Sequence, residues 1–412
     1  MDILVEQLNG GLLAASVDKG QIQSLEVDTP AEEVRWGSMY WAKVARIDKS
    51  LDAAFVNLDG DNIGIINNAD VYVTQKDGSV KRGGDVAIGK ILKPGQMIAV
   101  QAQSSFISTD PENPFAKAGG GKIPKLSMNV VLHGRYIILA PMEGVNRVSK
   151  RIRDKNMRAQ MEEMLESLKD CTGCILRAAA ANTQTDILVR EARILAAAWS
   201  QIQEFFEGSE PQLIVEGPDA VQRILSDLSS NLISAIELTT MDHFQLVEAW
   251  CDIYAPDLVP KITPLEIEGG TEELGLFEHR DIVEQIEKLF HPYAVLKRGG
   301  NIIIQDTAAL TAIDINSAQD KRPALDVNLD AADEIARQIR LRNLGGIIMI
   351  DFLKMKAAKD KKAVKKRLQA AFDTDSCTVQ IHGWTKLGLL EVARHRRTAP
   401  LIDRFQNALD EI

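Results

Sequence analysis

Cysteine is scarce in this chain. Four cysteines in 412 residues cannot build a disulfide framework, so a reducing compartment is the natural setting. Cys171 and Cys174 form one C-x-x-C, but Cys251 and Cys377 stand alone, and zinc needs further ligands at comparable spacing; zinc is not expected. Long apolar runs are also missing, with no window near the roughly 18 residues of a membrane span. The amino terminus, MDILVEQLNGGLLAASVDKG, carries acidic residues early and has no signal-peptide core. A cytoplasmic protein without membrane association is expected. Low-complexity tracts are absent, as are a P-loop, a dinucleotide fingerprint, a nucleophile elbow and a histidine zinc motif. The formal charge of -10, from 48 Lys+Arg against 58 Asp+Glu, speaks against nonspecific nucleic-acid binding unless local clusters overrule it.

What is present suits a soluble multidomain protein. The length allows two to four domains, and 45% hydrophobic with 26% charged residues is an ordinary globular balance. From Ile3 to about Val27 the alternation predicts a β-meander. Between Trp36 and Gln103, MYWAKVARI, DAAFVNL, NIGIIN and MIAVQAQ read as short strands of a five-stranded OB-type barrel. The stretch Ser104 to Lys122 holds two prolines and Gly119-Gly120-Gly121 and reads as a linker or substrate-facing loop. Strand-like VVLHGRYIIL and GCILRAAA follow, separated by a helix around Arg153 to Leu168, and a long helix is predicted from Thr185 to Glu207. QLIVEG, VQRILSDLSS, AIELTT and a helix near His243 to Cys251 read as β-α-β-α, able to complete the amino-terminal sheet. From Asp281 the order is helix, strands NIIIQDT and LTAIDINSA, helix Leu329 to Leu341, strand GGIIMIDF, basic helix Lys356 to Phe372, strand CTVQIHG, then helix. The fold class is therefore α/β within an α+β multidomain chain.

Two carboxylates carry the chemistry. Asp314 in LTAIDINS and Asp351 in GGIIMIDF each end a mostly apolar strand, at the sheet edge where α/β crevices open. An ionised Asp there needs a cation to offset desolvation. Magnesium fits, because it accepts one or two carboxylates and fills its octahedron with waters and phosphate oxygens; manganese is the alternative ion. Asn316 projects on the same side as Asp314 and is placed to orient a ligand. Strand-end Asp residues also cap turns, so this pair by itself leaves a structural role open. Lys354, Lys356, Lys359, Lys361, Lys362, Lys365, Lys366 and Arg367 follow Asp351, and Arg394, Arg396 and Arg397 form a second group. Such runs are usually solvated faces, yet beside a metal edge they suit phosphates. Lys354, Lys359, Lys362, Lys366 and Arg394 are the candidates for contact with nucleic-acid phosphates. In the barrel, Phe55, Tyr40 and Trp41 are candidates for base stacking, although most barrel aromatics are core.

The sequence resembles the ribonuclease E/G family over nearly its whole length. The most specific matches are GGNIIIQDTAALTAIDINSA, NLDAADEIARQIRLRNLGGIIMIDF and GLLEVARHR; SLDAAFVNL, GRYIILAP and VSKRI add to them. The resemblance implies an RNase H-like subdomain (1–35 and 210–285) split by an inserted OB-type S1 barrel (36–106) and a 5′-sensor-like region (107–209). A DNase I-like catalytic subdomain (286–400) and a tail (401–412) follow. Carried over by motif, the metal-binding aspartates are Asp314 and Asp351 and the supporting asparagine is Asn316. The implied activity is magnesium-dependent endoribonucleolytic hydrolysis of single-stranded RNA, leaving 5′-phosphate and 3′-hydroxyl ends, in ribosomal RNA maturation and message turnover. A noncatalytic RNA-binding regulator on the same fold is the alternative.

Several positions depart from the family pattern. Phe55 matches an RNA-stacking aromatic, but a second such position reads Ile65 and a lysine reads Ser104. Arg177 matches the arginine that grips a 5′-monophosphate, while its neighbouring threonine is Ala178 and a close-approach glycine is assigned to Ile123. Weak 5′-end sensing is expected. Lys321 to Val327 is shorter than the family's loop, and Gln319 replaces an arginine. No C-x-x-C follows the catalytic region, so a dimer or monomer is expected rather than a zinc-linked tetramer.

Overall fold

Asn9-Gly10 and Lys19-Gly20 all take positive φ, the two-residue turns whose twist suits hairpins. They join Asp2–Leu8, Gly11–Asp18 and Gln21–Val27 into the expected antiparallel meander. The computed structural model describes residues 1–74, 80–107, 123–150, 152, 154–228, 232–270, 272–307 and 309–409. Most of the expected linker from Ser104 to Lys122 lies outside the described residues.

The meander is extended by strands from much later in the chain. Ala235–Leu238 pairs parallel with Asp2–Leu8, and Ile262–Pro264 pairs parallel with Ala235–Leu238. Everything between Val27 and Ala235 is thus inserted into one sheet. Gln212–Val215, read as part of that sheet, instead pairs antiparallel with the barrel strand Met39–Asp48. Its alternation specified a strand but not which open edge would accept it.

Met39–Asp48, Ala53–Asn57, Ile63–Asn67, Lys125–Ser127 and Met97–Ala102 close into a five-stranded barrel, the last strand pairing back onto the first. Tyr40, Val44, Val56, Ile66 and Val100 fill it. Beyond the barrel, a small sheet of Leu132–His133, Ile137–Leu139, Arg147–Val148 and Cys174–Leu176 packs against the helix Thr185–Glu204 through Leu188, Ala192 and Leu195. The charged helix before it is Lys155–Met164, capped by Asp154 accepting from Met157 N.

The carboxyl-terminal sheet positions the site. Its order is Tyr293–Val295, Asn301–Asp306, Thr311–Asn316, Gly346–Asp351, Leu390–Arg394, Val379–Trp384. The two central strands run parallel, connected through the helix Ala324–Leu341. That helix and Ala358–Phe372 cover the same face, with Ala331, Ile335 and Ile339 of the first and Val364, Leu368 and Phe372 of the second meeting Ile313, Ile315, Ile348 and Ile350. Each buried Ile, Val, Leu or Phe among them contributes about 1.5 to 3 kcal/mol.

The first helix begins at Ala324, directly after Pro323, because proline's fixed φ suits a helix start. A strand, Leu390–Arg394, intervenes where a helix was read after CTVQIHG. The tail is a helix, Leu401–Leu409, whose Leu401 and Phe405 pack with Leu4, Leu13 and Val27 of the amino-terminal sheet. No helix among the described residues is long and apolar enough to cross a membrane.

Candidate functional site

Side chains alternate along a strand, so Ile313 and Ile315 face the helices while Asp314 and Asn316 face the opposite, open side. In Gly346–Asp351, Ile348 and Ile350 are buried and Ile347 and Asp351 are exposed. Parallel pairing puts Asp314 and Asp351 in direct register, on neighbouring strands about 4.8 Å apart. Both are exposed, and neither has a hydrogen bond or ion pair among the described residues. Like charges directly opposite on neighbouring strands repel, and a divalent cation shared between them removes that cost. The two hard-oxygen donors, open to water and phosphate, match what Mg2+ requires.

Asn316 lies two residues beyond Asp314 on the same face. Its Oδ1 accepts from Ala318 N at 2.8 Å, in the turn where Ala318 has φ 47. With the oxygen engaged, the amide N–H groups are the part offered to a carboxylate, a water or a phosphate oxygen. Asn328, fully buried in the connecting helix, was not singled out from sequence. Its Nδ2 donates to Leu353 O at 2.8 Å and its Oδ1 accepts from Leu353 N at 3.0 Å, which fixes the chain as it leaves Asp351.

The cations are distributed differently from expectation. Lys354, Lys359, Lys362 and Lys366 are all exposed, but the helix carrying the last three packs on the face of the sheet opposite the carboxylates. Lys354 and Lys356, both exposed, lie instead in the segment by which the chain leaves Asp351. Arg367 pairs with Asp333 at 2.6 Å, and Lys361 Nζ sits 5.3 Å from the Trp384 ring centroid.

Arg394, expected to contact RNA, is buried. Its guanidinium binds Asp375 at 2.9 and 3.1 Å, Asn343 Oδ1 at 2.9 Å and Leu344 O at 2.8 Å. Leu390, Val392 and Arg394 share the core-facing phase of one strand, so Arg394 ties Asp375 to the segment preceding Gly346–Asp351 and presents no charge to solvent.

In the barrel, Tyr40 is core. Trp41 donates Nε1–H to Gly208 O at 3.1 Å and stacks on Phe206. Phe55 is half-buried with the Arg46 guanidinium 3.8 Å from its ring centroid.

Arg177 is held by Asp227 at 2.7 Å and by Gly134 O at 2.9 Å. Arg397 takes the other oxygen of Asp227 at 2.7 Å and lies over Trp36. Ile123 lines a different cleft, under the barrel; the glycine beside Arg177 is Gly134, where a Cβ would come within 2.7 Å of Glu191 Oε1. Burial pushes the Glu191 carboxyl up to about 7, against the backbone N–H groups of Arg135 and Tyr136 that it accepts. Cys171 is half-buried and Cys174 buried, and burial pushes the Cys174 thiol up to about 12.

Fold and site together define a multidomain α/β protein that presents a carboxylate pair at the end of two parallel strands, alongside a closed five-stranded barrel. The sequence profile of the Ribonuclease E/G family matches residues 131–397, and the chain belongs to that family. It is 31% identical over 400 residues to Ribonuclease E of Haemophilus influenzae, aligning 95% of this chain with 41% of that protein. Against Ribonuclease E of Escherichia coli K12 the identity is 31% over 401 residues, covering 95% of this chain and 36% of that one. Ribonuclease G of Escherichia coli K12 is 26% identical over 411 residues, covering 96% and 80%. The chain spans about two-fifths of the length of these ribonuclease E relatives.

Proposed function

We propose that this chain is an endoribonuclease that hydrolyses phosphodiester bonds in single-stranded RNA with a Mg2+ ion held by Asp314 and Asp351, leaving 5′-phosphate and 3′-hydroxyl ends. The observation that carries the reading is the register pairing of two exposed carboxylates on the open face, without a partner among the described residues. Membership of a family named for ribonucleases supports RNA as the substrate. The barrel is then an S1-type RNA-binding module inserted into an RNase H-like subdomain, and the carboxyl-terminal sheet a DNase I-like catalytic subdomain. Ribosomal RNA precursors and messages in the cytoplasm are the proposed substrates.

When bound, the ion supplies Lewis acidity at the scissile phosphate and acidifies a coordinated water; Mn2+ would serve the same donors. The chain's own groups do the rest. Asp314 and Asp351 would hold the ion, and through its place on the sheet they would set where a phosphate oxygen can sit. Asn316 donates an amide N–H to a carboxylate or a phosphate oxygen, and Lys354 and Lys356 neutralise neighbouring phosphates.

The test is cleavage of a labelled single-stranded RNA by wild type, Asp314→Asn and Asp351→Asn. Each variant is expected to keep its fold and to lose about 100-fold or more in rate, about 3 kcal/mol of barrier. Unchanged cleavage in both would remove the site.

A further inference from the structure

A cleft of about 690 Å³ lies between the barrel and the open face of the carboxyl-terminal sheet. Gln103 to Ile107 and Lys125 form one wall, and the start of Gly346–Asp351 with the end of Leu390–Arg394 forms the other. Ser105 joins the walls. Its N–H donates to Arg397 O at 2.9 Å and its hydroxyl accepts from Ala399 N at 3.0 Å.

The charge lining this cleft is cationic. Lys125, Arg394, Arg396 and Arg397 face one carboxylate, Asp403, among the described lining residues. Arg394 and Arg397 are neutralised by Asp375 and Asp227. Lys125 forms no ion pair among the described residues, and Arg396 forms none either, although the Asp403 and Asp306 carboxylates lie near enough to attract its charge. Arg396 is held in place by its stem, which crosses Gly345 so closely that a Cβ there would lie 3.0 Å from its Cβ and Cγ.

Both ends of the cleft lead to surfaces that suit a nucleic-acid strand. On the barrel side, Lys125 is the register partner of Ile65, Ile65 of Phe55, and Phe55 of Arg46. Cross-strand partners share a face, so these four form one row with a cation at each end and apolar side chains between. On the sheet side, Ile347, Met349 and Asp351 follow one another on the open face, and Ile347 is 55% exposed. Four residues of strand separate Ile347 from Asp351, about 13 Å. Glu391, beside Met349, is the acid that borders this strip.

We infer that Lys125 and Arg396 form a phosphate-binding step in this cleft, through which single-stranded RNA passes from the barrel row to the carboxylate pair. The inference rests on the nuclease reading for the end of the path. Apolar and aromatic surface takes the bases whatever their identity, and the two cations take phosphates, so the step is sequence-tolerant and salt-dependent.

Binding without metal tests it apart from cleavage. The probe is a fluorescent 5′-hydroxyl RNA of about a dozen nucleotides, titrated in chelator at several salt concentrations. Lys125→Gln and Arg396→Gln keep the side-chain stems, and Lys169→Gln, on a remote surface, is the control. Each test variant is expected to weaken binding several-fold and to lower the slope of log affinity on log salt by about 0.7, the double variant by about twice that. In magnesium, cleavage of a dinucleotide, whose single phosphodiester cannot extend the roughly 13 Å from Asp351 back to the cleft, is expected to stay at the wild-type rate. Wild-type affinity and slope in the double variant, or an equal loss for short and long RNA, would overturn the inference. If Arg396→Gln melts below wild type, Lys125→Gln on the barrel surface decides alone. Failure of the aspartate variants to affect cleavage would instead count against the nuclease reading and leave the binding result standing.

Discussion

Asn328 closes both ends of its amide onto the backbone of Leu353, donating at 2.8 Å and accepting at 3.0 Å. The contact joins the middle of the crossover helix to the chain two residues past Asp351. A buried amide satisfied on both sides is stabilising, whereas either group left alone in the core costs about 1 to 3 kcal/mol.

Asn328→Ala is therefore expected to lower unfolding free energy by about 2 to 4 kcal/mol, read by urea denaturation. The magnesium concentration giving half-maximal cleavage should rise too, because Asp351 loses the anchor of its strand exit. A stability change below about 1 kcal/mol with an unaltered magnesium response would show that the clamp is dispensable.

Glu191 predicts a pH dependence of stability. Its folded pKa, about 7, lies above the ordinary value because burial disfavours the anion. The folded state thus holds a proton that the unfolded state releases, and stability falls as pH rises from about 4.5 to about 7, then levels. The loss amounts to about 3 kcal/mol at 1.36 kcal/mol per pH unit. Comparing wild type with Glu191→Gln by denaturation across this window should isolate it: the difference between them should shift against wild type as pH rises. Parallel pH profiles would mean that Glu191 titrates normally.

Arg177 bears on RNA ends. Asp227 and the Gly134 carbonyl already occupy its guanidinium, and Ala178 has no hydroxyl to add. Matched oligonucleotides carrying 5′-phosphate or 5′-hydroxyl are expected to be cleaved at rates within a few-fold of each other. A large monophosphate advantage would mean that a phosphate displaces Asp227 readily.

Alternation alone placed Asp314 and Asn316 on one face of their strand and Asp351 on the non-core phase of its own. The same rule, applied to LEVAR, puts Leu390, Val392 and Arg394 on one phase, and it would have removed Arg394 from the RNA-contact candidates had that segment been read as a strand. The lysines of Ala358–Phe372 were legible as a solvated helix face around a Val364, Leu368, Phe372 stripe. Which side of the sheet that stripe would cover was not, because packing a helix on either face satisfies the same local pattern. Asn328 carried no local signal, since its partner lies 25 residues away.

The sequence by itself determined the strands and helices, their buried faces and the residue types available for metal and phosphate, because these depend on periodicity and chemistry along the chain. Tertiary structure alone decided that Asp314 and Asp351 stand in register, that Arg394 and Arg177 spend their charge on Asp375 and Asp227, and that Lys125 meets Arg396 across a cleft. Strand partners and ion-pair partners are chosen between distant segments competing for the same edges and cavities, and that competition is settled only when the whole chain packs.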